Sequence, residues 1–143
     1  MAGIERFEDI EAWQLARRLA FDIHRLLDTS PINKHFALRD QLSRAVISIS
    51  ANIAEGFARN GDRDFAHFLD IAKGSCAEVQ SLLYLAYDLR YCEKAEFAKL
   101  YKQANETASR IGAFIVYLRS GKPHRSKPAP ESTPPVAVLD PGL

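Results

Sequence analysis

The sequence predicts an all-α fold, an antiparallel up-down-up-down four-helix bundle, and three observations predict it. Apolar residues recur at steps of three and four through four long segments, which gathers them on one side of a helix. Gly and Pro are sparse up to Ser120 and crowd the chain after it. No stretch alternates apolar and polar residues in the manner of a β-strand. Short links between long helices force each helix to run antiparallel to the one before it.

The first segment runs from Asp9 to Leu27, with Trp13, Ala16, Leu19, Ala20, Ile23, Leu26 and Leu27 on one stripe. Asp9 is expected to cap it, and Glu8, Asp9 and Glu11 suit the positive end of the helix dipole. Asp28-Thr29-Ser30-Pro31 ends it. The second segment starts at Ile32 or Asn33 and reaches Arg59, with Leu38, Leu42, Ala45, Val46, Ile49, Ile53 and Phe57 apolar. Small residues from Ser50 to Ala54 predict a close approach of a neighbouring helix there. Asn60-Gly61-Asp62 is a turn, with Asp62 the expected cap of the third segment.

That third segment runs from Arg63 to Arg90, with Phe65, Phe68, Leu69, Ala72, Cys76, Val79, Leu83 and Ala86 on one face. Past Val79 the pattern widens, as Leu82, Leu83, Tyr84, Leu85, Ala86, Tyr87 and Leu89 cover most of the circumference. A helix apolar nearly all round must be buried on more than one side. One bundle core cannot cover it, so a second surface is expected to meet another subunit. The fourth segment runs from Glu93 to Leu118, with Phe97, Leu100, Tyr101, Ala104, Ala108, Ile111, Phe114, Ile115 and Leu118 apolar. Arg119, Gly121 and Lys122 are stop signals. Prolines then crowd the chain, so the bundle domain is expected to span residues 1–120 and a disordered Pro-rich tail residues 121–143.

Hydrophobic residues make up 47% of the 143 and charged residues 26%, the balance of one globular domain. Formal net charge is +1. Up to Ser120 there are 16 Lys plus Arg and 16 Asp plus Glu, so no global field draws in nucleic acid or a membrane surface. A basic patch must come from folding or symmetry. Cys76 and Cys92 form no CxxC pair and are expected to be free thiols of a reducing compartment. No signal peptide follows Met1, and no window offers the roughly 20 apolar residues a membrane helix needs. The expectation is a soluble, cytoplasmic protein.

The inventory argues against an enzyme or a cofactor. His24, His35, His67 and His124 lie on separate segments. Glu55 is followed three residues later by Ala58 and Glu78 by Ser81, so the ExxH pairs of a di-iron bundle are missing. HExxH, GxGxxG, GxxxxGK[ST] and GxSxG are missing too.

The second segment carries a polar stripe beside its apolar one: Gln41, Arg44, Ser48, Asn52, Glu55 and Arg59, at steps of three or four. The third segment offers Lys73, Ser75 and Glu78. Folded back around Asn60–Asp62, the two sets can meet. Two readings stay open: a network that fixes helix register, or a surface for phosphate or a partner. Arg17 and Arg18 add cations on the first segment, and Lys94, Lys99 and Lys102 a modest basic face on the fourth. The aromatic residues read as core or interface rather than as platforms for stacked bases.

Four stretches carry a resemblance: FEDIEAWQLA at Phe7–Ala16; Leu38, Gln41, Arg44 and Ala45; SISANIAEG at Ser48–Gly56 with Arg59 beyond; and FLDIAKGSCAE at Phe68–Glu78. In these the chain resembles the bacterial 23S rRNA intervening sequence proteins. It departs at Ser30-Pro31, where the family often has Phe-Pro, and at Ser50, where it often has Pro. The resemblance implies a homopentamer of four-helix bundles. The family is also similar to the accessory protein of diversity-generating retroelements, which works with nucleic acid. The resulting expectation is a non-enzymatic homopentamer that binds RNA or a nucleoprotein. The alternative is a scaffold that binds only protein.

Overall fold

The computed structural model describes residues 3–121 and 137–140. Four α-helices follow one another: α1 (Glu11–Thr29), α2 (Phe36–Ala58), α3 (Asp62–Asp88) and α4 (Lys94–Arg119). Short 3-10 turns precede α1 at Phe7–Asp9 and α2 at Pro31–Lys34. Among the described residues there is no strand. Each helix packs on the next, and α1 closes the ring against α4, so the bundle is up-down-up-down. α3 makes the most extensive contacts, with α2 on one flank and α4 on the other. Residues 122–136 and 141–143 of the expected tail lie outside the described residues, and Ala137–Asp140 form neither helix nor strand.

The predicted stripes meet in the core. Leu19, Ile23 and Leu27 of α1, Leu42, Ile49 and Ile53 of α2, Phe65, Leu69 and Leu83 of α3 and Ile111 of α4 are fully buried. Both expected caps are displaced. Asp9 closes the first 3-10 turn, and Ile10 stands at the α1 N-cap without a side-chain bond. Ile4 and Ile10 are drawn into the core, and the Phe7 and Trp13 rings pack edge to face at 5.1 Å. The chain therefore turns once before α1 begins. Asp62 is the first residue of α3, and its N-cap is Gly61 at φ 103°, a conformation natural to glycine. At the start of α2, His35 Nδ1 accepts from the Leu38 amide at 3.2 Å. Ser30 is buried, donates to the Tyr91 carbonyl at 2.6 Å and accepts from the Ile32 amide. It thereby ties the α1–α2 link to the α3–α4 link.

The close approach of α2 and α3 falls at Gly56 rather than over Ser50–Ala54. A Cβ there would stand 2.7 Å from Phe68 Cβ and 3.3 Å from the Phe65 carbonyl oxygen. Ala51 is exposed and Ala54 half-buried.

Both cysteines are free and buried. Burial pushes the Cys76 thiol from its ordinary 9.0 up to about 12, and burial followed by Glu96 and Glu93 raises Cys92. A thiol that loses its proton only outside the fold favours the folded state below pH 9. That contribution fades as pH rises from about 9 toward 12, because the unfolded thiol ionises first. Reaction with a thiolate-selective reagent at pH 8 should be slow at Cys76 and become fast only on unfolding. Rapid labelling of Cys76 in the folded protein would contradict the packing of α3.

Candidate functional site

The helical step places Gln41, Arg44, Ser48, Asn52, Glu55 and Arg59 along the flank of α2 that meets α3. Three residues of the two predicted sets join there. Ser75 Oγ lies 2.9 Å from Ser48 Oγ, and Asn52 Nδ2 donates to Ser48 Oγ at 2.9 Å and to the Ser48 carbonyl at 2.8 Å. Ser75 is buried, while Ser48 and Asn52 are half-buried. This is a neutral hydrogen-bonded seam between two helices.

The charged members are arranged differently. Arg59 donates to Glu55 at 2.8 Å and lies 4.9 Å from the Phe68 ring centre. Arg44 pairs with Asp40 at 3.1 Å. Gln41 and Glu78 are exposed. Lys73 does not join: its ammonium lies beside α4, 3.6 Å from where a Cβ on Gly112 would stand. Asp70 takes Arg119 at 3.3 Å. The guanidiniums of the α2 stripe thus face carboxylates one turn away on the same helix. Such exposed pairs are worth about 0–1 kcal/mol each, but they lower the positive potential of that flank.

Elsewhere the polar contacts tie helices together. His24 joins α1 to α2, with Nδ1 2.7 Å from the Ala20 carbonyl and Nε2 3.0 Å from Ser43 Oγ. A backbone carbonyl, not a carboxylate, orients this ring, so the charge that supports a Ser-His-Asp triad is missing. Asp22 of α1 is 7% exposed and accepts from Arg18 Nε at 3.1 Å and from Gln103 Nε2 of α4 at 2.8 Å. Among the described residues, no group of three or more His, Cys, Asp or Glu is placed to hold a metal. Nor is any helix long and apolar enough to cross a membrane.

Two features escape sequence reasoning. One is the Arg18–Asp22–Gln103 cluster, whose first pair is visible as an i,i+4 step but whose third member is 81 residues away. The other is the extension to Ile71 of the exposed apolar surface that Leu85 and Leu89 predict. Ile71 and Leu85 of α3 and Leu89 at its C-cap are exposed, and a Cβ on Gly74 would meet nothing within 4 Å; Ile47 is exposed too, but one turn from Ser43, on the side of α2 toward α1. Ile71, Gly74, Glu78, Ser81 and Leu85 succeed one another at three and four residues, hence along one face. At the far end of α3, Tyr84 and Tyr87 pack on Phe97 at 5.0 and 5.3 Å, and Tyr101 completes the cluster.

A crystal structure at 1.70 Å of a protein of unknown function, from the S23 ribosomal protein family of Bacteroides thetaiotaomicron VPI-5482, has the same fold. It matches with a TM-score of 0.68 at 21% identity, over 73% of this chain and 95% of that one. No curated protein matches. The family model described as 23S rRNA-intervening sequence protein matches residues 8–113, from the first 3-10 turn into α4. The chain belongs to the 23S rRNA-intervening sequence protein family.

Proposed function

We propose that this protein is a non-enzymatic, self-associating scaffold whose working unit is a ring of bundles, joined through the outer face of α3. The observation that carries this reading is the exposed apolar row. Ile71 is 41% exposed and Leu85 43% exposed, about four turns of helix apart on α3, and Leu89, at the C-cap one turn beyond Leu85, is exposed as well. These apolar side chains, with Gly74, Glu78 and Ser81 between Ile71 and Leu85 on the same face, have no cover from their own bundle, and exposed apolar surface rimmed by polar residues marks contact sites. Five subunits is the number that the family resemblance implies.

A nucleic-acid role is the second reading. The family name points to ribosomal RNA. Lys94, Phe97 and Tyr101 fall on one face of α4, and Lys102 adjoins it, so a cation row runs beside aromatic rings. A basic strip with stacking rings suits a single strand or a splayed base. The scaffold is the stronger reading because Arg44, Arg59 and Lys102 each face a nearby carboxylate.

Filter binding with a structured RNA at low and moderate salt separates the two. The scaffold reading expects no salt-dependent retention by the wild-type protein or by an Arg44→Glu, Arg59→Glu variant. Retention that falls steeply with salt, as counterion release requires, and that Lys94→Glu with Lys102→Glu abolishes, would establish the RNA reading in its place.

A further inference from the structure

The residues Ala137–Asp140 lie against α1. Arg17 Nη2 donates to the Ala137 carbonyl at 2.9 Å, and Arg18 Nη1 donates to the Asp140 carbonyl at 2.8 Å. Both contacts read main chain rather than side chain. Val138 between them is 92% exposed, whereas Leu139 is half-buried. One side of the segment therefore faces solvent and the other the protein.

The receptor is anchored by the bundle itself. Arg18 is held by Asp22: Nε donates to Oδ2 at 3.1 Å, and Nη2 makes an ion-pair contact with Oδ1 at 3.1 Å. Asp22 is buried and is itself held from α4 by Gln103. The guanidinium carbon lies 5.6 Å from the Phe21 ring centre, and Nη1 is the donor that reaches the segment. Arg17 lies 6.0 Å from the Trp13 ring centre. A planar, forked donor fixed by a buried carboxylate loses little freedom when it binds, which favours a backbone carbonyl as its acceptor.

We infer that the outer face of α1 is a binding site for an extended peptide, and that its occupant is this chain's own C-terminal segment, 137–140, docked as a strap. The fifteen residues 122–136 separate this segment from the end of α4. A chain of that length spans at most about 50 Å, ample to return to α1, which packs beside α4. The docked strap covers the outer face of α1 at Arg17 and Arg18. α1 sits across the bundle from α3, so the strap leaves the proposed assembly face open.

The test is backbone amide relaxation by NMR on the full chain. The order parameters of Val138, Leu139 and Asp140 should exceed about 0.6, the level below which backbone counts as flexible. They should fall below it in an Arg17→Ala, Arg18→Ala variant. Removing Arg18 leaves Asp22 buried without its cation, so that variant can lose its fold. Arg17→Ala alone and Leu139→Gly, neither of which touches Asp22, should produce the same loss. Values below about 0.6 in the wild-type protein would overturn the strap. So would retention of order in both Arg17→Ala and Leu139→Gly. Order that disappears on tenfold dilution would overturn docking within one chain in favour of exchange between copies.

Discussion

Replacing Gly56 with alanine is expected to destabilise the fold by about 1–3 kcal/mol, the usual range for overpacking. Alanine is the better helix former, by roughly 1 kcal/mol in a helix interior. On α2 that preference loses to sterics. The added methyl would stand 2.7 Å from Phe68 Cβ and 3.3 Å from the Phe65 carbonyl oxygen. Both obstacles belong to or adjoin the α3 backbone, so no rotamer change clears them. α3 must shift as a unit, and it carries the Phe57–Phe65–Phe114 ring contacts with it. For a domain of this size the melting midpoint should fall by roughly 10 °C. Gly74→Ala is the control. It lies in α3 with nothing within 4 Å of the added methyl, so it should gain about 0.5–1 kcal/mol. Thermal melts followed by circular dichroism should move in opposite directions for the two variants. A Gly56→Ala protein as stable as wild type would show that α2 and α3 are further apart than described.

The double substitution Ile71→Glu, Leu85→Glu is expected to dissociate the assembly while leaving the bundle folded. Each side chain is exposed within the single chain, so the substitutions should alter its stability by no more than about 0.5 kcal/mol each. At an interface the balance reverses. A carboxylate taken out of water without a partner is strongly unfavourable, and symmetry repeats the penalty at every contact in a ring. Val116→Glu is the matched control, since Val116 is an exposed apolar residue of α4 away from the row. Sedimentation should report the single-chain mass, 16.0 kDa, for the double variant and the assembled mass for Val116→Glu. Unchanged sedimentation of the double variant would remove α3 as the contact face.

The bundle was legible because apolar spacing within each segment records which side of a helix is buried. All four helices fall on the segments that the periodicity marks, but α2 begins at Phe36 rather than at Ile32 or Asn33, because Pro31–Lys34 form a 3-10 turn; the stripe containing Cys76 and Val79 is the α3 core. Ends were less legible, because they depend on distant contacts. Asp9 and Asp62 are good caps by residue type, but burial of Ile10 and the positive φ of Gly61 set the α1 and α3 starts.

The candidate site was legible in its neutral half. Ser48 and Ser75 meet because a tight turn at Asn60–Asp62 brings α2 and α3 into antiparallel register. Lys73 failed for a reason the spacing already contained. Residues two apart on a helix point to nearly opposite sides, so Lys73 and Ser75 cannot both face α2. Ile47 escaped notice because Ala45-Val46-Ile47 is an apolar run, and a run does not say which member faces outward. The strap was hidden because Arg17 and Arg18 meet residues about 120 positions away through backbone carbonyls, which every residue carries.

The mass of the unmodified protein in solution tests self-association most directly. Light scattering on the full chain at micromolar concentration should give a single species at five times the 16.0 kDa chain mass. A different fixed multiple would keep the assembly and correct the count. A mass of 16.0 kDa across that range would contradict the scaffold reading, and the exposed row on α3 would then need another explanation.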